Sequence, residues 1–552
     1  VPYLLVGGGS AMTREYRVRA TRPLLLATAA LAGLTATLLP TAAGAKAGPV
    51  VIRDVRASVA DIPLHGVSYP VDGNHPQPDT QIEPSIAVNP ANPNNAVASF
   101  QEDRVDAGGD AGNGWATTTD GGKTWHHGYL PGLTRYTGGA FDRASDAVVT
   151  FGADPAQKGH YLVYANSLVF NDGSGPTGDT SKSGMAINVS RDNGLHWTKA
   201  VILEQDGLEG LNDKNWIVAD NGTGTGHKTG RVYVVWDRIT PMVYTYCDAG
   251  CDKLSNWADA TTGNNTFYVY NAQPGIGSYP LVLPDGTLSV IFQGDFGGPP
   301  GVQNPPSTEN PADVAVAGSQ LQIALAPSAG AVPWPAPLTF TPVSTGISAN
   351  NDNGIAEQRA GSLPAAAVDH QTGEMVVAWE DGRLRKDGLN DLFFSTSKNG
   401  VTWSPPKRVN KDAENSHIDH WNAMVDIANG VISIGYQQRN ETKGAPSLRS
   451  ASGLSPYVDT YFQQSNDDGA SWTNPLRVDA VRSDVGYAAF SRGGAFLGDY
   501  NQLAFASNGR VYLVHNVAMP KYRGEPCNCS FKSGNGHQHQ YTYVAVIQPA
   551  KR

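Results

Sequence analysis

Helical periodicity is nearly absent from this 552-residue chain, which points away from helical folds and toward an all-β one. Long apolar runs are scarce as well: beyond the N-terminal stretch, no segment is apolar enough to span a bilayer. Basic residues are outnumbered, 40 Lys and Arg against 50 Asp and Glu, so neither nucleic acid nor an anionic membrane suits the chain as a partner. Cysteine is limited to four residues in two tight pairs, Cys247-x-x-x-Cys251 and Cys527-x-Cys529.

The N-terminal stretch has the three-part layout of an export signal. Arg14, Arg17, Arg19 and Arg22 form a basic region, Leu24 to Leu39 an apolar one, and Ala43-Gly44-Ala45 a small-residue cleavage site. The expectation is a secreted protein with a signal at 12–45, residues 1–11 being a gene-model extension upstream of Met12. Removing the four Arg and one Glu before residue 46 leaves 36 basic and 49 acidic residues, a formal charge of −13. An acidic surface of this kind keeps an exported protein soluble. In an oxidising compartment the cysteines are disulfide candidates. Two local bridges are the simplest of three pairings, a strained Cys527–Cys529 loop favours crossing between the pairs, and a zinc site with His537 and His539 is a further alternative.

One turn motif, Ser/Thr-x-Asp-x-Gly-x-Thr/Ser-Trp, recurs. Ser465 to Trp472 and Thr118 to Trp125 match it in full. Ser190 to Trp197 has His196 before the Trp, and Thr396 to Trp403 reads with Lys398 at the Asp position. The Trp125–Trp197 interval is 72 residues, Trp403–Trp472 is 69, and Trp197–Trp403 is 206, close to three steps. Decayed copies are expected at Pro327 to Trp334 and near Asn271 to Ser278. In each box Asp accepts turn amides, Gly supplies a positive φ, and Trp packs between repeats, so the box is a structural staple with no catalytic assignment.

Seven hairpin signals precede the boxes: Ser85 to Phe100, Ala147 to Tyr164, Trp216 to Trp236, Tyr279 to Phe292, Leu363 to Trp379, Asn422 to Tyr436 and Leu503 to His515. Each is followed by a third strand, giving a unit of about 70 residues. Seven such units fill the chain after Ala57. The fold expected is a single β-propeller of four-stranded blades over 81–552, with 46–80 as a lead-in; seven blades are favoured over six.

The boxes resemble those of the sialidase (neuraminidase) superfamily, the bacterial neuraminidase repeats. That resemblance implies a six-bladed propeller, an Arg-Ile-Pro opening of the first hairpin, an acid/base Asp before the first box and a Tyr–Glu nucleophile. Here the first hairpin reads Gln81-Ile82-Glu83-Pro84 and closes with Glu102-Asp103-Arg104, so Glu83 stands where an arginine would hold the carboxylate of sialic acid. Asp110 falls in the acid/base loop, and Tyr500, in Gly498-Asp499-Tyr500-Asn501, falls in the nucleophile segment. A phenol needs a carboxylate to take its proton, a role to test with Glu357 or Asp419.

Loops at the ends of second strands and at the entries of innermost strands share one face of a propeller. They carry Arg104, Arg238 and Arg383, and Arg143, Lys214, Arg359, Asp419 and Asp499-Tyr500; Arg439 closes a further hairpin. These arginines are substrate-binding candidates, with rim salt bridges between blades as the plain alternative. The reading is a secreted sialidase-like glycoside hydrolase acting as a monomer on an extracellular glycan or polysaccharide. A non-catalytic binding propeller and a polysaccharide lyase are the alternatives. No cofactor is implied, although Asn351-Asp352-Asn353-Gly354 could take structural calcium.

Overall fold

Alternating apolar strands of two to eleven residues, broken by Gly and Asp turns, hydrogen-bond into seven antiparallel sheets of four strands, the sixth with a further two-residue strand beside it, arranged as the blades of a propeller. The computed structural model describes residues 48–58, 77–174, 178–206, 212–238, 242–258, 267–270, 275–294, 319–326, 340–347, 363–440, 457–491, 494–523, 525 and 538–550. The innermost strands are Gln81–Val88, Arg143–Ala153, Asp213–Ala219, Gly275–Val282, Ala365–Val368, Ile418–Ala428 and Gln502–Phe505, one for each of blades one to seven. Each packs on the next around the axis, and the seventh returns to the first. Closure comes from early in the chain: Val50–Arg56, within the stretch read as a lead-in, pairs antiparallel with Gln540–Gln548 as the outer strand of blade seven.

The recurrent turn joins the third and fourth strands and staples its blade to the preceding one. In blade six Asp467 Oδ1 accepts the Ser471 amide at 2.8 Å and the Ser465 hydroxyl at 2.7 Å, while Gly469 N donates to Ser465 Oγ at 2.8 Å. Gly469 has φ +74°, and a Cβ there would lie 2.0 Å from the Phe394 ring of blade five. Trp472 meets the same ring edge-on at 5.2 Å. In blade two Asp192 bonds the His196 amide at 2.9 Å and its ring at 2.6 Å, so His replaces Thr/Ser as a partner.

Two sequence expectations need correction. In blade five it is Asn399, not Lys398, that occupies the Asp position: its Oδ1 accepts from the Val401 and Thr402 amides at 2.9 and 2.8 Å. The turn is one residue shorter than the motif. The copy expected near Asn271 to Ser278 is also misplaced, because Gly275–Val282 is the innermost strand of blade four. Blade three instead bridges Cys247 to Cys251 directly after its third strand. Trp257, 2 % exposed, donates to Cys251 O at 3.0 Å and packs with Ile187 and Val189 of blade two. A disulfide loop thus seats this tryptophan between blades as the Asp turns seat theirs. Trp334, Cys527, Cys529, His537 and the 351–354 loop lie outside the described residues.

Candidate active site

The innermost strands of blades one, two, three, four and six share one irregularity near their entry. Two residues of the strand oppose a single residue of its neighbour: Glu83-Pro84, Asp146-Ala147, Lys214-Asn215, Gly277-Ser278 and Asn422-Ala423. The first residue of each bulge is left-handed, with φ of +53°, +47°, +40°, +73° and +52°. Glycine suits that position, yet four blades use larger side chains, at about 1–2 kcal/mol each. A bulge turns its side chain off the sheet, and here it gathers Glu83, Asp146, Lys214 and Asn422 at one end of the axis. The Trp-ended turns lie at the other end of the strands.

These residues form one buried polar cluster. Lys214 Nζ lies 3.1 Å from Asp499 Oδ2 and 3.8 Å from Glu83 Oε1. Glu83 Oε1 also accepts the Asp499 amide at 3.0 Å, and its Oε2 accepts from Gln101 Nε2, which lies 3.4 Å from Asp146 Oδ1. Arg104 backs the cluster by donating to Gln101 Oε1 at 2.5 Å. Asn422 donates to Gly498 O at 3.0 Å, fixing blade six to the segment that carries Asp499 and Tyr500.

Burial pushes the Glu83 carboxyl up to about 7, despite the opposing Lys214. Lys214 feels the same burial, but Asp499 and Glu83 hold it well above the usual lysine range. Asp237, opposite Asp213 in blade three, is raised well above the carboxylate range by burial and by that neighbour. Tyr500 lies with Lys214 Nζ 5.0 Å from its ring centroid and Trp216 edge-on at 5.5 Å. Burial, then the fields of Asp146, Glu83 and Asp499, keep its phenol protonated. Trp216 and Tyr279, 4.5 Å apart, floor the cluster and divide it from a cavity of about 1130 Å³ that runs along the axis toward the turn side.

Asp110 is beside this cluster. Its loop is clipped to blade two, Asp110 N donating to Ala144 O at 2.8 Å, and neither carboxyl oxygen has a hydrogen bond among the described residues. With 0 % exposure, burial raises it well above the carboxylate range against the pull of Arg104 and Arg143. The other sequence candidates are placed differently. Arg143 pairs with Asp172 and donates to Gly108 O at 3.3 Å. Arg383 bonds Asp381, two residues back, at 2.7 Å. Asp419 Oδ1 accepts the amides of Asn390 and His420 at 2.8 and 3.1 Å, and its strand neighbour across the ladder is Arg439. Arg238 follows the second strand of blade three. Glu357 and Arg359 lie outside the described residues.

No protein-family model and no curated protein matches the chain. Solved structures of similar architecture include an α-L-arabinofuranosidase of Fusarium graminearum, 10 % identical, covering 91 % of this chain and 97 % of that one with a TM-score of 0.40. The phage phi92 endosialidase is 13 % identical over 87 % of this chain and 68 % of its own, with a TM-score of 0.42. A polysaccharide lyase, an ulvan lyase, is 11 % identical over 80 % and 93 %, also at 0.42. At such similarity the chemistry must be read from this chain's own side chains.

Those side chains are two buried carboxyl groups and a phenol toward the strand-entry end of the axis. Burial raises Asp110 well above the carboxylate range and Glu83 to about 7, and Tyr500 stands in the field of four carboxyl groups. Asp146 and the central role of Glu83 were not legible beforehand. The one available signal was a charged residue two or three positions inside an apolar innermost strand.

Proposed function

We propose that the chain is a secreted glycan-cleaving enzyme of glycoside-hydrolase type, working at the strand-entry mouth by a sialidase-like use of Tyr500 and Asp110. The observation that carries it is the set of carboxyl groups buried at this end of the axis: Asp110, fully buried and raised well above the carboxylate range, and Glu83, pushed up to about 7. Asp110 gives its proton to the departing glycosidic oxygen. Tyr500 Oη attacks the anomeric carbon, and its proton passes to the axial carboxylates, with Glu83 in the role considered for Glu357 or Asp419. Water then cleaves the tyrosyl–sugar bond, the departing phenolate recovering a proton while Asp110 takes one from the water. Arg104, through Gln101, positions Glu83.

The test is a screen on aryl sialosides, arabinosides, rhamnosides and uronides with Tyr500→Phe alongside. Turnover in the wild type with kcat/KM at least about 100-fold lower in the variant is expected. Turnover unchanged by the substitution removes Tyr500 from the mechanism, and none on any substrate favours a non-catalytic binder.

A further inference from the structure

The axial cluster is rich in carboxyl groups, which repel the carboxylate of an anionic sugar. Glu83, Asp146 and Asp499 surround a single ammonium, Lys214, which already lies 3.1 Å from Asp499 and 3.8 Å from Glu83. Asp213 and Asp237 stand behind them on blade three. Three of the guanidinium groups that could grip a carboxylate in bidentate fashion are engaged with groups of the protein itself. Arg104 donates to Gln101 Oε1 and lies with its guanidinium 5.0 Å from the Phe496 ring, Arg143 is paired with Asp172, and Arg383 with Asp381.

The acidity is also not required by the fold. Blade four places Gly277 and blade six Asn422 in the same bulge position, with the same left-handed backbone. Glycine and asparagine are the residues that tolerate that conformation best, so Glu83 is held there against its backbone preference. Strain of this kind persists where a side chain is needed for what it touches.

We infer that the axial cluster selects a sugar unit that carries no carboxylate, and that Glu83, Asp146 and Asp499 are the residues that exclude anionic sugars. This rests on the mouth being the glycan site. A carboxylated ring seated over Tyr500 would bring its charge against these buried groups, where repulsion is little screened. A neutral ring has hydroxyls that the same carboxyl groups can accept from.

The experiment uses the full chain on substrate pairs that differ in one charge: aryl β-glucoside against aryl β-glucuronide, aryl α-galactoside against aryl α-galacturonide, and an aryl sialoside against its methyl ester. Equilibrium binding to immobilised neutral and carboxylated oligosaccharides runs in parallel, for the wild type and for Glu83→Gln and Asp146→Asn. Expected is a preference of at least about 100-fold for the uncharged member in turnover or in binding, and a fall of at least about tenfold in that preference in the binding of either variant. Preferred cleavage of the carboxylated member overturns the inference and leaves glycan cleavage standing. Binding of neutral glycans without any turnover supports the inference and overturns the enzymatic reading. Binding of anionic glycans in preference, or of none at all, overturns the inference.

Discussion

At the scale of single residues, Lys214 governs the chemistry of its neighbours. It is the cation against which Glu83 and Asp499 are set, and it opposes the rise that burial imposes on Glu83. Lys214→Met keeps a straight apolar stem and removes the charge. Glu83 then loses its main opposing influence, and its pKa rises above about 7. If Glu83 must be ionised to accept the phenolic proton, activity requires a pH above that value. The acid limb of the pH–kcat/KM profile is therefore expected to move to higher pH by about one unit in the variant. A limb that stays in place would remove Glu83 as the titrating base.

The residue scale is also where sequence reading was least sure. Tyr500 and Asp110 are singled out by a resemblance; Tyr500 lies in the axial cluster, and Asp110 lies in the fields of Arg104 and Asp146. The acidic-Arg signature at the ends of second strands was less informative, because Arg383 answers to Asp381 two residues away. A pattern of alternating charge along a chain carries no record of whether the partner is local or a substrate.

At the scale of the element, the Trp-ended turn is a local hydrogen-bonded unit whose stabilising work is done against the neighbouring blade. Gly469 shows both requirements at once, a positive φ of +74° and a Cβ direction 2.0 Å from Phe394. Gly469→Ala should destabilise by about 2–4 kcal/mol through backbone strain and overpacking. Asn466→Ala, on the exposed side of the same turn, should change stability by less than about 0.5 kcal/mol. Denaturant midpoints of the two variants compared with wild type check this, and equal midpoints would mean that the turn does not staple the blades. The Asp-x-Gly chemistry was readable in three copies because those residues are the turn. In blade five the motif slipped by one residue, since Asn399 can accept the same amides as Asp from a tighter loop. In blade three a disulfide and Trp257 stand in its place, and a turn template is blind to that.

At the scale of the whole molecule, a propeller is held closed by the strand that joins its ends. Here Val50–Arg56 supplies it, and a buried pair fastens it: His515 Nε2 lies 3.1 Å from Asp54 Oδ1, and Asp54 Oδ2 accepts the Ala480 amide of blade six at 2.7 Å. Burial works against a charge on His515, but the Asp54 carboxylate outweighs it and the pKa is raised. A histidine whose folded pKa exceeds its unfolded value stabilises fully below about 6.5, and the contribution disappears as pH rises through the folded value. His515→Gln should thus lower the thermal midpoint most below pH 6.5, with the difference from wild type narrowing as pH rises. A difference that is constant from pH 5 to 9 would show that the pair's charge has no part in closure.

The sequence by itself determined the period, the hairpins and three of the turns that separate third from fourth strands, and it favoured seven blades over six, because hairpins and turns are set by residues close to one another along the chain and the blade count follows from how often they recur. The axial cluster was decided only in three dimensions. Glu83 and Asp499 are 416 positions apart, and they meet because the first and seventh blades are neighbours in a closed ring. Glu83, Asp146 and Lys214 reach the axis through a left-handed bulge that alternating hydrophobicity does not encode. Burial in that shared centre then raises Glu83 to about 7. Whether a carboxyl group can move a proton near neutral pH is thus a property of the assembled ring and of no single segment.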